Sequence, residues 1–349
     1  MLAGGVPCPP FSIAGKQLGS SDERDLFAWA IEQVGVIRPR AVMLENVRGL
    51  SAPRFSAYRQ RIIDRLDEYG YVGEWKLLHA SDFGVPQLRP RFVLVAMRPE
   101  DHAYFRFPDT GGSENTTVGD ALYELMASNG WKGATAWRTL ANGIGPTLVG
   151  GSKKHGGADL GPSRAKLGWA KLHVDGRGIA DAAPAQDAPS PHEWHPRLTI
   201  AMAARVQGWT AGDNWVFSGR KTSQYRQIGN AFPPPVAESV GRSIIAALNH
   251  EGKARADVGR ELDLHDSVYR ALASAPDALT FDELVKAQNE GSVAAVERKL
   301  AALAHDFELE IIEDQSGKTR YRLGAFKGFT GQADHLRHEF VAQHRNRVS

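Results

Sequence analysis

One cysteine, Cys8, stands in 349 residues. A single thiol excludes an intrachain disulfide framework and a cysteine-rich zinc site, and no metal is expected. No apolar run reaches the length of about 18 residues that a membrane-spanning helix needs. The first residues carry no basic stretch ahead of an apolar core, so no secretory signal is expected and a cytoplasmic location is the default. An excess of either charge is also missing: 42 Lys and Arg face 40 Asp and Glu, for a net charge of +2. That balance neither demands nor excludes nucleic acid, because local patches decide such binding.

What is present is organised around the cysteine. Leu2-Ala3-Gly4-Gly5-Val6 reads as the end of a buried strand running into a turn. The carboxyl end of a strand in an open α/β sheet is where such folds place their chemistry. Pro7 and Pro9 restrict the backbone on both sides of Cys8, so the thiol sits on a stiff loop. Two readings remain open here. Cys8 is a nucleophile, or it is the small buried hydrophobe that a lone cysteine usually is.

The next residues alternate between helix and strand patterns. Asp22 opens a helix over 22–37 whose face is Leu26, Phe27, Ala30, Ile31 and Val34. Ala41-Val42-Met43-Leu44 reads as a buried parallel strand ending at Glu45-Asn46-Val47. Glu45 is either a functional carboxylate or a solvated loop acid. Ser56 caps a second helix that ends at Gly70, and strands follow over 71–80 and 92–97. This order predicts an α/β sheet. Before the last strand stand Arg89 and Arg91, two apart and on one face if the backbone is extended. Two guanidiniums there suit an anion or a base edge, or are ordinary surface arginines.

Residues 100–196 change character. The stretch 143–161 is rich in glycine and holds Lys153 and Lys154; Arg164, Lys166, Trp169 and Lys171 follow. This reads as irregular loops with interleaved basic and aromatic residues, either a nucleic-acid surface or a flexible insertion. The Ala- and Pro-rich stretch 181–191 reads as a linker. Thr199 caps a short helix through Gln207. Gly229-Asn230 is a turn signal, after which prolines open a helix to about Leu248. From about Gly252 the chain reads as a separate unit. Three helices and a hairpin, at about 264–325, follow the order of a winged helix.

Taken together, these segments resemble the DNA cytosine-5 methyltransferase family over residues 1–248. Pro7-Cys8 with Phe11-Ser12 resembles its nucleophile loop, and Glu45-Asn46-Val47 its Glu-Asn-Val motif. Gln87-Leu88-Arg89-Pro90-Arg91 resembles its Gln-x-Arg-x-Arg motif. Arg197-Leu198-Thr199 followed by Gln207-Gly208-Trp209 resembles the motif after the target-recognition region, and Gly229-Asn230-Ala231 the last motif. The resemblance implies a partial doubly wound, Rossmann-like methyltransferase sheet. It divides the chain into a catalytic half over 1–100, a target-recognition region over 101–196, a return to the catalytic domain over 197–250 and an extension over 251–349.

The resemblance also implies a reaction. Cys8 is the implied nucleophile at C6 of a cytosine flipped out of double-stranded DNA. Glu45, with a pKa raised by burial, is implied at N3, and Arg91 with Arg89 at O2. The methyl donor implied is S-adenosylmethionine, near Pro7, Leu26, Asn230 and Ala231. The implied DNA contacts are Ser12, Lys16 and Gln17 of a mobile loop, and Thr147, Lys153, Lys154 and Arg164 of the target region. The setting implied is a restriction-modification or orphan enzyme of the bacterial nucleoid. The family's glycine-rich turn, which holds the methionine part of the donor, has no counterpart after Met1. Three expectations follow. An upstream segment exists; a complementing N-terminal half supplies it; or the chain is a non-catalytic DNA-binding relative. A related branch that acts on tRNA gives an RNA alternative.

Overall fold

The computed structural model describes residues 1–6, 26–52, 55–109, 116–149, 158–255, 266–288, 293–313 and 317–327. The chain divides into two compact units. Unit 1 comprises residues Met1–Leu77, Phe92–Phe105 and Ala247–Ser349; unit 2 comprises Leu78–Arg91 and Arg106–Ala246.

Unit 1 begins with β1 (Leu2–Gly5), α1 (Leu26–Ile37), β2 (Ala41–Val47) and α2 (Ser56–Glu68). Most of strands β3 (Val72–His79) and β4 (Pro90–Met97), and the short helix α3 (Pro99–His102), follow. The sheet order is β1-β2-β4-β3. β1 runs parallel to β2, with Gly5 opposite Glu45. β4 is a continuous apolar run, and Phe92 to Met97 are all buried, as such a run requires of a central strand. Phe27, Ala30, Ile31 and Val34 turn one face of α1 into the core, at the spacing read from the sequence. Trp75 stacks on Phe92 at 4.8 Å and on Phe27 at 5.5 Å. Ser56 is the first residue of α2 and not its cap: the cap is Phe55, with no side-chain hydrogen bond. Gly70 takes φ +80°, closing α2 in the left-handed turn glycine tolerates best.

Unit 2 contains α4 (Val118–Ala127), α5 (Ala134–Leu140), α6 (Ser163–Ala170), α7 (Ile200–Val206) and α8 (Lys221–Asn230), and most of α9 (Pro234–Leu248). Its core is built around Trp131, Trp137 and Trp169 with Leu198, Val206 and Ile228. The expectation of irregular loops is met only in part, since helices carry this core. Trp169 is fully buried. A Cβ on Gly145 would come within 2.4 Å of its ring. It is therefore packing, and not an aromatic offered to nucleic acid. The 181–191 stretch is no free linker. Asn129 donates to the Ala183 carbonyl, and Trp131 Nε1 to those of Ala188 and Pro189. Thr199 caps α7 by accepting from the Met202 amide, as expected. Gly229-Asn230 is not a turn. α8 runs through both residues, because Arg89 anchors the Gly229 carbonyl from beneath.

The chain returns to unit 1 with α10 (Ser267–Ser274), β5 (Leu279–Thr280), α11 (Phe281–Lys286), α12 (Val293–Asp306), β6 (Phe307–Glu313) and β7 (Thr319–Phe326). Three helices and the β6-β7 hairpin stand in the order read from the sequence, and β5 adds a third strand, for a sheet order β5-β7-β6. Asp266 caps α10 by accepting from the Val268 and Tyr269 amides, and Thr280 and Glu283 form a capping box on α11. These elements do not enclose a core of their own. Tyr269, Leu300, Phe307 and Phe326 join the same apolar cluster as Tyr58, Ile62 and Leu66 of α2.

Candidate active site

Glu45 stands near the carboxyl end of β2 and is 7% exposed. The parallel register sets Gly5 directly against it. A Cβ built on Gly5 would lie 3.0 Å from Glu45 Oε2, so the β1 backbone approaches the carboxylate as closely as a glycine allows. Asn46 follows, 2% exposed. Its Oδ1 accepts from the Val47 amide at 2.7 Å, while Nδ2 is buried with no partner among the described residues. The motif marked Asn46, but its orphaned donor was not legible from sequence.

After Val47 the chain makes a tight 3-10 turn over Arg48–Ser51. Arg59, from the first turns of α2, reaches back to this turn. Its Nη1 donates to the carbonyls of Leu50 at 2.7 Å and Ala52 at 2.9 Å. The side chain is 5% exposed, and burial alone pushes its pKa down to about 10. Nothing in the sequence distinguished Arg59 from the other arginines of an amphipathic helix.

The Gln-x-Arg-x-Arg segment is a structural hub of unit 2. Arg89 is fully buried. Its Nη1 donates to Leu148 O at 2.7 Å and its Nη2 to Gly229 O and Ala231 O, both at 2.8 Å. Those bonds hold the last turn of α8 against the loop that carries Leu148. Gln87, also fully buried, donates to Val206 O and Gln207 Oε1 and accepts from the Leu148 amide. Gln207 in turn donates to Ala231 O. Arg91 is the second residue of β4, half-buried, with Nη1 donating to Pro90 O at 2.9 Å. Arg89 and Arg91 thus differ in environment although they stand two apart. Tyr225 of α8 is buried here too, and desolvation pushes its phenol well above the ordinary range.

The other expected site residues are scattered. Cys8, Pro7, Ser12, Lys16, Gln17, Lys153 and Lys154 lie outside the described residues. Leu26 opens α1 and is half-buried. Asn230, exposed, ends α8, and half-buried Ala231 follows it. Within unit 2 the Ala231 carbonyl is already taken by Arg89 and Gln207, so it is not free to hold a nucleoside. Thr147 is half-buried, and Arg164 is exposed on α6. Lys166, in contrast, is paired to Asp159 at 2.6 Å. Exposed Arg220, at the start of α8, pairs with no acid among the described residues and follows the exposed Trp215 and Val216.

Fold and site define an α/β protein with a buried carboxylate at the carboxyl end of a sheet strand, the place where such folds carry out chemistry. The comparisons narrow that class. A family model described as C-5 cytosine-specific DNA methylase matches residues 1–246. The chain is 57% identical over 350 residues to the Type II methyltransferase M.NaeI of Lentzea aerocolonigenes, an alignment covering 100% of this chain and 83% of that protein. It is 48% identical over 257 residues to the Type II methyltransferase M.NgoMIV of Neisseria gonorrhoeae, covering 72% of this chain and 78% of that one. Among solved structures, the Entamoeba histolytica methyltransferase EhMeth aligns with a TM-score of 0.43 at 12% identity, over 70% of this chain and 77% of that one. The chain belongs to the C-5 cytosine-specific DNA methylase family, enzymes that methylate cytosine in DNA.

Proposed function

We propose that this chain is the catalytic polypeptide of a type II restriction-modification methyltransferase acting on a cytosine flipped from a specific duplex site. The observation that carries the reading is the Gly5–Glu45 register. Gly5, opposite the carboxylate, stands three residues before Cys8 in the sequence. A thiol and a buried acid are the pair that nucleophilic attack on a pyrimidine needs.

In the proposed reaction the Cys8 thiolate bonds to C6 of the base, and the C5–C6 electron pair moves to C5. Glu45 gives a proton to N3, which makes the ring an enamine and removes the developing charge. Arg91 steadies O2. S-adenosylmethionine is the proposed methyl donor. When bound, it would supply an electrophilic methyl group to the C5 electron pair and depart as the neutral thioether; water would then take the C5 proton as the thiolate leaves C6 and the C5–C6 double bond returns, and the N3 proton goes back to the Glu45 carboxylate. Arg89 has donors on backbone carbonyls of unit 2, and its proposed part is to support that unit. Lys16, Gln17, Arg164 and Arg220 are proposed DNA contacts.

Methyl transfer from labelled S-adenosylmethionine to mixed-sequence duplex DNA tests the reading, with the upstream family segment supplied in trans. Transfer is expected, with none from Cys8→Ser and a loss of about a hundredfold or more from Glu45→Gln. Transfer undiminished in Cys8→Ser would overturn it.

A further inference from the structure

The part of the chain beyond residue 246 lies outside the family match. Its place in the fold suggests a role, because it grips the helix that carries Arg59.

Arg59 is unusual among the arginines of unit 1. Its guanidinium is buried, faces no acid among the described residues, and spends Nη1 on the carbonyls of Leu50 and Ala52. Nε is buried and has no partner. Its Cζ lies 5.8 Å from the centre of the Phe92 ring on β4. A buried cation held only by backbone carbonyls costs stability compared with an apolar residue of similar size. The carbonyls belong to the turn that leaves Glu45-Asn46-Val47, and two charge-assisted hydrogen bonds fix it. Any shift of Arg59 along the axis of α2 moves that turn.

The same helix is held from its other side. Tyr269 of α10 donates to Asp64 Oδ2 at 2.5 Å, and Asp64 also accepts from Gln60 at 2.6 Å. The Tyr58 ring lies 5.9 Å from Phe326 of β7, and α12 packs along α2. Residues 58, 59 and 64 thus tie the C-terminal elements and the active-site turn to one rigid rod.

We propose that Arg59 is a positioning residue for Glu45, and that the C-terminal unit serves to hold α2, and with it Arg59, in register with the active-site turn. The proposal rests on the reading that Glu45 acts on the base. It makes the C-terminal winged-helix elements a brace for the catalytic half in place of a second DNA reader.

The test uses the full chain and three variants, Arg59→Met, Arg59→Lys and Tyr269→Phe. Hydrogen exchange is read first, because it needs no activity. Arg59→Met is expected to raise exchange in residues 46–52 while leaving β4 protected, Arg59→Lys to restore part of the protection, and Tyr269→Phe to loosen both α2 and the same turn. Methyl transfer is read second, under the conditions given above. Arg59→Met is expected to lower kcat by about a hundredfold, as misplaced reacting groups do, with the DNA KM little changed and partial rescue by Lys. Unchanged exchange over 46–52 in Arg59→Met overturns the proposal. So does a kcat that falls in Glu45→Gln but not in Arg59→Met, and that outcome leaves the proposed function standing. A kcat unmoved in both Glu45→Gln and Arg59→Met overturns the role of Glu45, and the proposal with it. Exchange raised in Arg59→Met but not in Tyr269→Phe overturns the brace.

Discussion

Gly5 is the residue on which the geometry of the carboxylate turns. A methyl group there would meet Glu45 Oε2 at 3.0 Å. The atom it meets is the end of a flexible side chain, so the fold has a way to yield and the carboxylate does not keep its place. Gly5→Ala is therefore expected to lower the methyl-transfer rate at least tenfold while shifting stability by less than about 1 kcal/mol. Thermal unfolding beside the transfer assay separates the two; a variant that unfolds early with normal turnover per folded molecule contradicts the account. A second residue reports on stability through pH. Burial, and then the charge of Arg255, push His102 down to about 4 from its ordinary 6.5. Glu74 lies 3.6 Å from His102 Nε2, but Arg255 already pairs that carboxylate at 3.1 Å, and the desolvated ring stays neutral. The folded value lies below the unfolded one, so the unfolded chain takes up the extra proton between about pH 4 and 6.5. Stability falls as pH drops through that window. Urea unfolding is expected to show a loss of about 2 kcal/mol from this group between pH 7 and 5, absent in His102→Gln. Equal pH dependence in both proteins would contradict it.

At the scale of elements, the C-terminal helices and hairpin belong to the fold of the catalytic half. Burying a large apolar side chain contributes roughly 1.5–3 kcal/mol, and Tyr269, Leu300, Phe307 and Phe326 each lie within the cluster that includes α2. Several such side chains together match the whole margin of an ordinary domain, about 5–15 kcal/mol. Ending the chain after Arg255 is expected to yield aggregated or unfolded protein, read by circular dichroism and size exclusion. A well-folded truncated chain with an unchanged midpoint would contradict this. The elements themselves were legible, since capping at Thr199, apolar periodicity in α1 and the apolar run of β4 are local signals. What each element packs against was not. The 252–265 region reads as a charged linker, and no local pattern says that Phe326 ends beside Tyr58. Trp169 failed for the same reason: a tryptophan among lysines reads as surface until a glycine 24 residues earlier opens a slot for it. Gly229-Asn230 reads as a turn because the helix there is stabilised by Arg89, 140 residues away.

At the scale of the molecule, the family was legible because several motifs stand in order, and the family match over residues 1–246 agrees. The surroundings of individual motif residues were legible only in part. Glu45 is buried near a strand end, and Arg89 is buried with its donors on backbone carbonyls. Sequence shows two arginines on one face; it does not show which of them finds carbonyls first. Among the described residues no helix is long and apolar enough to cross a membrane. The central claim is that Cys8 and Glu45 work together on a flipped cytosine, and covalent trapping tests it most directly. The chain, with the upstream segment supplied, would be incubated with S-adenosylmethionine and a duplex library carrying 5-fluorocytosine, where fluorine at C5 blocks the final elimination. The account predicts a stable protein–DNA adduct through Cys8, absent in Cys8→Ser and formed far more slowly in Glu45→Gln. An adduct that persists in Cys8→Ser, or none from the wild-type protein on any duplex in the library, would contradict it.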